Sequence, residues 1–123
     1  MAGAFGQDIR TPLVIEASGP LAVAAGIGQA TTVVEEVSSL HATQITVMLT
    51  CTVALQSVSL VLYARSKTIA VTVPISAAIP ANTPTVLRYG LGTNNGIGQV
   101  YDVVVTNGEA GAGQVKLWTA ARS

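Results

Sequence analysis

From Thr43 onward, hydrophobic and polar residues alternate along the chain. Residues 43–53 read TQITVMLTCTV, with Ile45, Val47, Leu49, Cys51 and Val53 on one side and Gln44, Thr46, Met48, Thr50 and Thr52 on the other. A period of two is the pattern of a β-strand with one buried face. SVSLVLYAR repeats it with Val58, Leu60, Leu62 and Ala64, and TIAVTVPI with Ile69, Val71, Val73 and Ile75. The short breaks between these runs, ALQS and RSK, suit antiparallel neighbours better than helical crossovers.

Pro74, Pro80 and Pro84 then punctuate PISAAIPANTP, which reads as a strand end followed by a loop, because proline removes a ladder donor. TVLRY (85–89) is a further strand, and GLGTNNGIG is a turn region rich in glycine and asparagine. Residues 99–106 and 114–120 are predicted to form a terminal hairpin whose loop opens with Asn107-Gly108. Tyr101 shares a strand face with Val103 and Val105 and is assigned to the core.

The N-terminal third is harder to assign. PLVIE (12–16) fits a strand. In TTVVEEVSSL, Val33, Val37 and Leu40 have helical spacing and Thr32 with Glu35 matches a capping box, whereas the β-branched run 31–34 disfavours a helix. A strand turning near Ser38-Ser39 is the preferred reading. Seven or eight short strands with turns about every 10 residues are the signature of an all-β, single-domain antiparallel sandwich, with jelly-roll connectivity expected. The sandwich is placed at residues 12–123 and an N-terminal arm at 1–11.

Composition changes this picture in one respect. Charged residues make up 10% of the chain, against roughly 25% in an average soluble domain. A surface so poor in charge is either covered by copies of itself or a partner, or kept soluble by Ser and Thr. Six basic and six acidic residues are scattered along the sequence. No basic stripe exists to neutralise phosphates, so nucleic acid is not an expected partner. Association is expected to depend only weakly on salt.

The segment 45–64 lacks charge, but its period of two favours strands over a membrane helix, and no membrane partner is expected. MAGAFGQDIR has no basic start followed by an apolar stretch, so no signal peptide is read there. A single cysteine, Cys51, excludes an intrachain disulfide and fits a reducing cytoplasm.

Candidate chemistry is sparse, and no cofactor is expected. Gly26-Ile27-Gly28-Gln29-Ala30-Thr31 follows an apolar run like a dinucleotide loop, but the third glycine is replaced by Thr31 and no βαβ pattern follows. These glycines read as a bend. One histidine, His41, and one cysteine cannot supply a zinc site, and no G-x-S-x-G elbow is present. Glu35 and Glu36 can approach Asp102, yet adjacent strand residues face opposite ways, so both are not expected in one cleft. An enzyme is not expected. Trp118 shares the more polar face of the last strand with Gln114, Lys116 and Ala120, as either a partner contact or a ring half covered by a neighbouring loop.

The stretch LRYGLGTNNGIGQVYDVVVTNGEAGAGQVKLWTAA resembles the ends of small β-sandwich virion proteins of tailed bacteriophages. The resemblance is carried by the valines up to Thr106, Asn107-Gly108, the small-residue loop 110–113, and Val115 to Trp118, about a third of the chain. Length and low charge look most like a capsid cement or decoration protein. That resemblance implies synthesis in the host cytoplasm, a place on the capsid surface, the major capsid protein as partner, and a homo-oligomer, with a trimer expected. The arm would then lie across a neighbouring subunit, with Phe5 and Ile9 as anchors and Asp8 and Arg10 in polar contacts, or else be a frayed terminus. A tail or fibre component and a small carbohydrate-binding module are the alternative functions.

Overall fold

The computed structural model describes residues 13–16 (backbone only), 20–39, 42–63, 69–91 and 100–122. They form nine strands: β1 (Leu13–Glu16), β2 (Leu21–Val23), β3 (Ala30–Ser38), β4 (Gln44–Cys51), β5 (Leu55–Tyr63), β6 (Ala70–Pro74), β7 (Thr85–Gly90), β8 (Val100–Asn107) and β9 (Gly113–Arg122). One sheet, here sheet A, runs β1-β9-β4-β7, with β2 also on β9; the other, sheet B, runs β3-β8-β5-β6. All pairings are antiparallel.

Successive strands change sheets at every step except β1 to β2 and β5 to β6. Two four-strand layers wound this way, with β1 and β2 sharing one edge, make a jelly-roll sandwich, as the strand count and alternation predicted. The ambiguous segment 31–38 is a strand, its β-branched run prevailing over the helical spacing.

The expected terminal hairpin is not a hairpin. β8 lies in sheet B and β9 in sheet A, and residues 108–112 form an arch between them. β8 is already flanked by β3 and β5, and β9 by β4 and by β1 with β2, so neither has an edge left for the other. The ALQS break is likewise an arch from β4 to β5, whereas β5 and β6 do pair as neighbours.

Alternation translated directly into burial. Ile45, Val47, Leu49 and Cys51 of β4, Val58, Leu60 and Leu62 of β5, and Tyr101, Val103 and Val105 of β8 all face the core. In β6, by contrast, Val73 packs against the core while Val71, and Ile69 just before the strand, remain 43% and 59% exposed. β6 is an edge strand of sheet B, paired with β5 alone.

The two layers are also joined by polar groups. Thr119 Oγ1 of β9 donates to the Thr46 carbonyl at 2.9 Å, so the Tyr101 hydroxyl of β8 donates to Thr119 Oγ1 at 2.7 Å. At one end of the sandwich the fully buried Asn107 side chain holds two loops. Its Nδ2 donates to the carbonyls of Ala24 and Gly111, each at 2.8 Å, and its Oδ1 accepts from the Glu109 N–H at 2.8 Å.

The glycine bend closes on the same residue. Gly26 and Gly28 sit at φ 117° and 84°, a region that side chains disfavour, and the Gly28 N–H donates to the Asn107 carbonyl at 2.8 Å. Residues 24–29 are therefore the corner from β2 in sheet A to β3 in sheet B.

Candidate interaction surface

Strand register builds the most distinctive surface. Val86 of β7 lies opposite Met48 of β4, and Met48 lies opposite Trp118 of β9. The three form one row across the outer face of sheet A, because their strand neighbours Val47, Leu49, Leu117 and Thr119 point into the core. Met48 and Val86 are each 45% exposed and Trp118 is half-buried. Trp118 thus stands on the outer face of the last strand, as its alternation predicted, with β1 beside it through Glu16. Adjacent cross-strand apolar side chains shield one another, which stabilises the row while leaving its upper surface available for contact.

The same outer face carries Arg88 beside Thr46, Lys116 beside Thr50 and Arg122 beside Gln44, all three exposed. No carboxylate occurs among the described side chains of this face. Phe5, Asp8, Ile9 and Arg10, the other residues assigned to an interface from sequence, lie outside the described residues, as does His41.

Carboxylates gather on sheet B instead. β3 is bulged opposite Asp102: Val34 pairs with Val103 and Val37 with Tyr101, so Glu35 and Glu36 together face one residue of β8. The expectation that these neighbours point to opposite sides fails here, because the bulge breaks the period of two. Both are exposed, and Glu36 adopts φ 58°, a left-handed conformation costly for a side-chain-bearing residue.

The bulge frees the Glu36 N–H from the ladder, and it donates to Asp102 Oδ1 at 2.9 Å. Tyr63 of β5 donates its hydroxyl to the other oxygen, Oδ2, at 2.7 Å. Asp102, 7% exposed, has a donor on each carboxylate oxygen, which is how a buried acid is stabilised. It is tied down as a structural acceptor.

The hydrogen bond to Asp102, then burial, pushes the Tyr63 phenol up to about 12 from its ordinary 10.0. Burial pushes Tyr101 up to about 12 as well, with its hydrogen bond to Thr119 acting in the opposite direction. Ionising either phenol removes a hydroxyl donor, so the folded state favours the neutral form. The stability gained is complete below the unfolded value near 10.0 and is lost as pH rises through about 12. Thermal unfolding followed with tyrosinate absorbance should show the melting temperature falling above pH 10.0, with a smaller fall in Tyr63→Phe. An unchanged slope in that variant would remove Tyr63 from the account.

Among the described residues no group of three His, Cys, Asp or Glu side chains is placed to hold a metal ion. Cys51 is buried on the inner side of β4. A cleft of about 150 Å³ at the end of sheet A is lined by Thr50, Thr52, Asn82, Gln114 and Lys116 among others, a polar set without an acid–base pair. The apolar run 45–64 is divided between β4 and β5 in different sheets, and no helix among the described residues is long and apolar enough to cross a membrane.

No protein-family model matches the sequence, and neither does any curated protein. Solved structures do match in fold. A chain of the T13 IBDV viral particle superposes with a TM-score of 0.65 at 14% identity, over 93% of this chain and 31% of that one. A chain of infectious bursal virus-derived T=1 particles gives 0.58 at 12% identity, over 96% and 35%. The CBM22-1–GH10 modules of Clostridium thermocellum xylanase 10B, complexed with xylohexaose, give 0.54 at 8% identity, over 92% and 24%. This chain therefore spans about a third or less of the length of each of these chains. At such identities the likeness is one of fold: the sandwich is of the kind found in viral-particle proteins and in a carbohydrate-binding enzyme.

Proposed function

We propose that this chain is a non-enzymatic structural protein of a virus particle, acting as a cement or decoration protein on the outer shell of a bacteriophage head. The observation that carries this reading is the row Trp118–Met48–Val86, an apolar strip across three strands on the outer face of a virus-type sandwich. An isolated exposed hydrophobe needs no explanation, whereas an apolar row that includes a tryptophan is the composition of a contact surface. Repeated copies, each burying a modest area against the major capsid protein, would brace the shell through multivalency. Phe5, Asp8, Ile9 and Arg10 would extend the contact onto a neighbouring subunit.

Purified protein mixed with shells that lack it, then imaged, tests the reading. Regular density at three-fold or quasi-three-fold positions is expected, with occupancy reduced by Trp118→Ala. Density confined to tails would replace the cement role with a tail or fibre role.

The fold shared with a xylohexaose-complexed enzyme favours a second reading, a small carbohydrate-binding module. It requires saturable binding to a glycan array by the isolated protein, abolished in Trp118→Ala.

A further inference from the structure

The run Ile69-Ala70-Val71-Thr72-Val73-Pro74-Ile75 reads almost the same in both directions about Thr72: Val71 matches Val73, and Ile69 matches Ile75. It contains no charged residue. Most of it is β6, which among the described strands pairs with β5 alone. Edge strands are commonly guarded against further pairing by charge, above all lysine, or by proline. Pro74 is the only residue of that kind in the run.

The ladder with β5 fixes what this edge presents. The Ile75 N–H donates to the Val58 carbonyl at 2.8 Å, so Val73 and Val71, at alternate positions before it, also turn their backbone polar groups toward β5. Ala70, Thr72 and Pro74 turn theirs to the other side. Pro74 therefore sits where its missing N–H costs the β5 ladder nothing, and its carbonyl faces outward with those of Ala70 and Thr72. Val71 and Val73 stand opposite the buried Leu62 and Leu60, on the inner face, yet Val71 is 43% exposed and Ile69 59%. Ala70 and Thr72 are exposed on the outer face.

A strand that answers these backbone groups, and sets hydrophobes against Ile69 and Val71, is β6 itself turned round. We propose that two copies of the chain pair through β6, antiparallel about a two-fold axis at Thr72, joining their B sheets into one. Thr72 of each copy then exchanges backbone hydrogen bonds with Thr72 of the other, and each Ala70 N–H donates to the Pro74 carbonyl of the second copy. On the inner face Val71 lies opposite Val73 of the second copy, and Ile69 opposite Ile75. A two-fold contact requires a patch that complements itself, and a near-palindrome in an antiparallel pair is such a patch.

One strand pair buries less than the roughly 800 Å² per partner of a standard stable interface, so the dimer forms and dissociates with concentration. With no charge in the run, it depends little on salt. The contact uses neither the Trp118 row nor residues 1–11, so it is independent of shell binding.

Sedimentation velocity on the full chain over a range of concentrations reads the association directly. The average mass should rise with concentration and stop at twice that of the chain, at low and at moderate salt alike. Thr72→Lys and Thr72→Glu should each weaken the dimer about fivefold or more, because like charges then face each other across the axis. Thr72 is exposed and its N–H points away from β5, so both variants should keep the circular dichroism of the unaltered protein. Mixed in equal amounts they should dimerise again, as expected where residue 72 of one copy meets residue 72 of the other. Trp118→Ala should leave the dimer unchanged. A monomer at all concentrations, growth beyond a dimer, lysine and glutamate variants that dimerise like the unaltered protein, a mixture that stays monomeric, or a dimer lost in Trp118→Ala would each overturn the proposal.

Discussion

Asn107→Ala is expected to destabilise the fold by about 3 kcal/mol, from three side-chain hydrogen bonds each worth about 1 kcal/mol. For a domain of this size, that lowers the melting temperature by roughly 10–15 °C. The side chain is fully buried and does the work of several separate turn contacts. Through Nδ2 it binds the corner after β2 at Ala24 and the arch before β9 at Gly111, and through Oδ1 it orders the backbone at Glu109.

Its own backbone is engaged too, donating to the Gln29 carbonyl at 2.9 Å and accepting from Gly28. An Asp in its place would retain the acceptor but lose the Nδ2 donors, and would set a carboxylate against two carbonyl oxygens. Asn107→Asp should therefore be at least as destabilising at neutral pH as Asn107→Ala. Thermal unfolding of both variants checks the order, and an Asn107→Ala protein that melts within a few degrees of the unaltered one would refute the assignment.

Tyr101→Ala should cost about 4 kcal/mol, whereas Tyr101→Phe should cost only about 1 kcal/mol. The ring is 0% exposed and is the largest fully buried side chain among the described residues, so truncation opens a cavity in the core. The phenylalanine variant keeps the ring and loses only the hydroxyl bridge to Thr119. Thr119 still donates to the Thr46 carbonyl in that variant, so just one bond is lost. Denaturant unfolding of the pair separates packing from the polar link between sheets. If Tyr101→Phe proved as costly as Tyr101→Ala, the hydroxyl bridge, rather than the volume of the ring, would dominate at this position.

Much of the fold was legible in the chain. β4, β5 and β8 are visible as alternating runs, and within them Ile45, Val47, Leu49, Cys51, Val58, Leu60, Leu62, Tyr101, Val103 and Val105 are buried as the alternation put them, whereas Ile69 and Val71 are not. Trp118 was legible as an outward residue, from Gln114, Lys116 and Ala120 around it. The arch after β8 was not. Asn107-Gly108 signals that the chain reverses, and the same local signal serves a hairpin within one sheet and a passage between two.

The choice is made elsewhere. β4 takes one side of β9 along eight paired positions, from Gln44 with Arg122 to Cys51 with Val115, while β3 and β5 take both sides of β8. The bulge at Glu35–Glu36 was equally hidden. Two acidic residues within a strand pattern suggest opposite faces, and only the mismatch in register across β8 shows that both sit over Asp102.

The candidate surface shows the same division. For β4 and β9 the sequence alone determined which side is wet: Met48 and Trp118 each occupy a position out of phase with buried neighbours. A local period of two encodes that much, because it depends only on the pleat of one strand. It contains no information on which strand lies alongside. Met48 and Trp118 are 70 residues apart, and their alignment with Val86 follows from the β4–β9 and β4–β7 registers. Those registers also bring Arg88, Lys116 and Arg122 together on sheet A, while β3 and β8 bring Glu35, Glu36 and Asp102 together on sheet B. Residues far apart along the chain are brought side by side in this way because strand pairing joins them by register and not by distance in sequence.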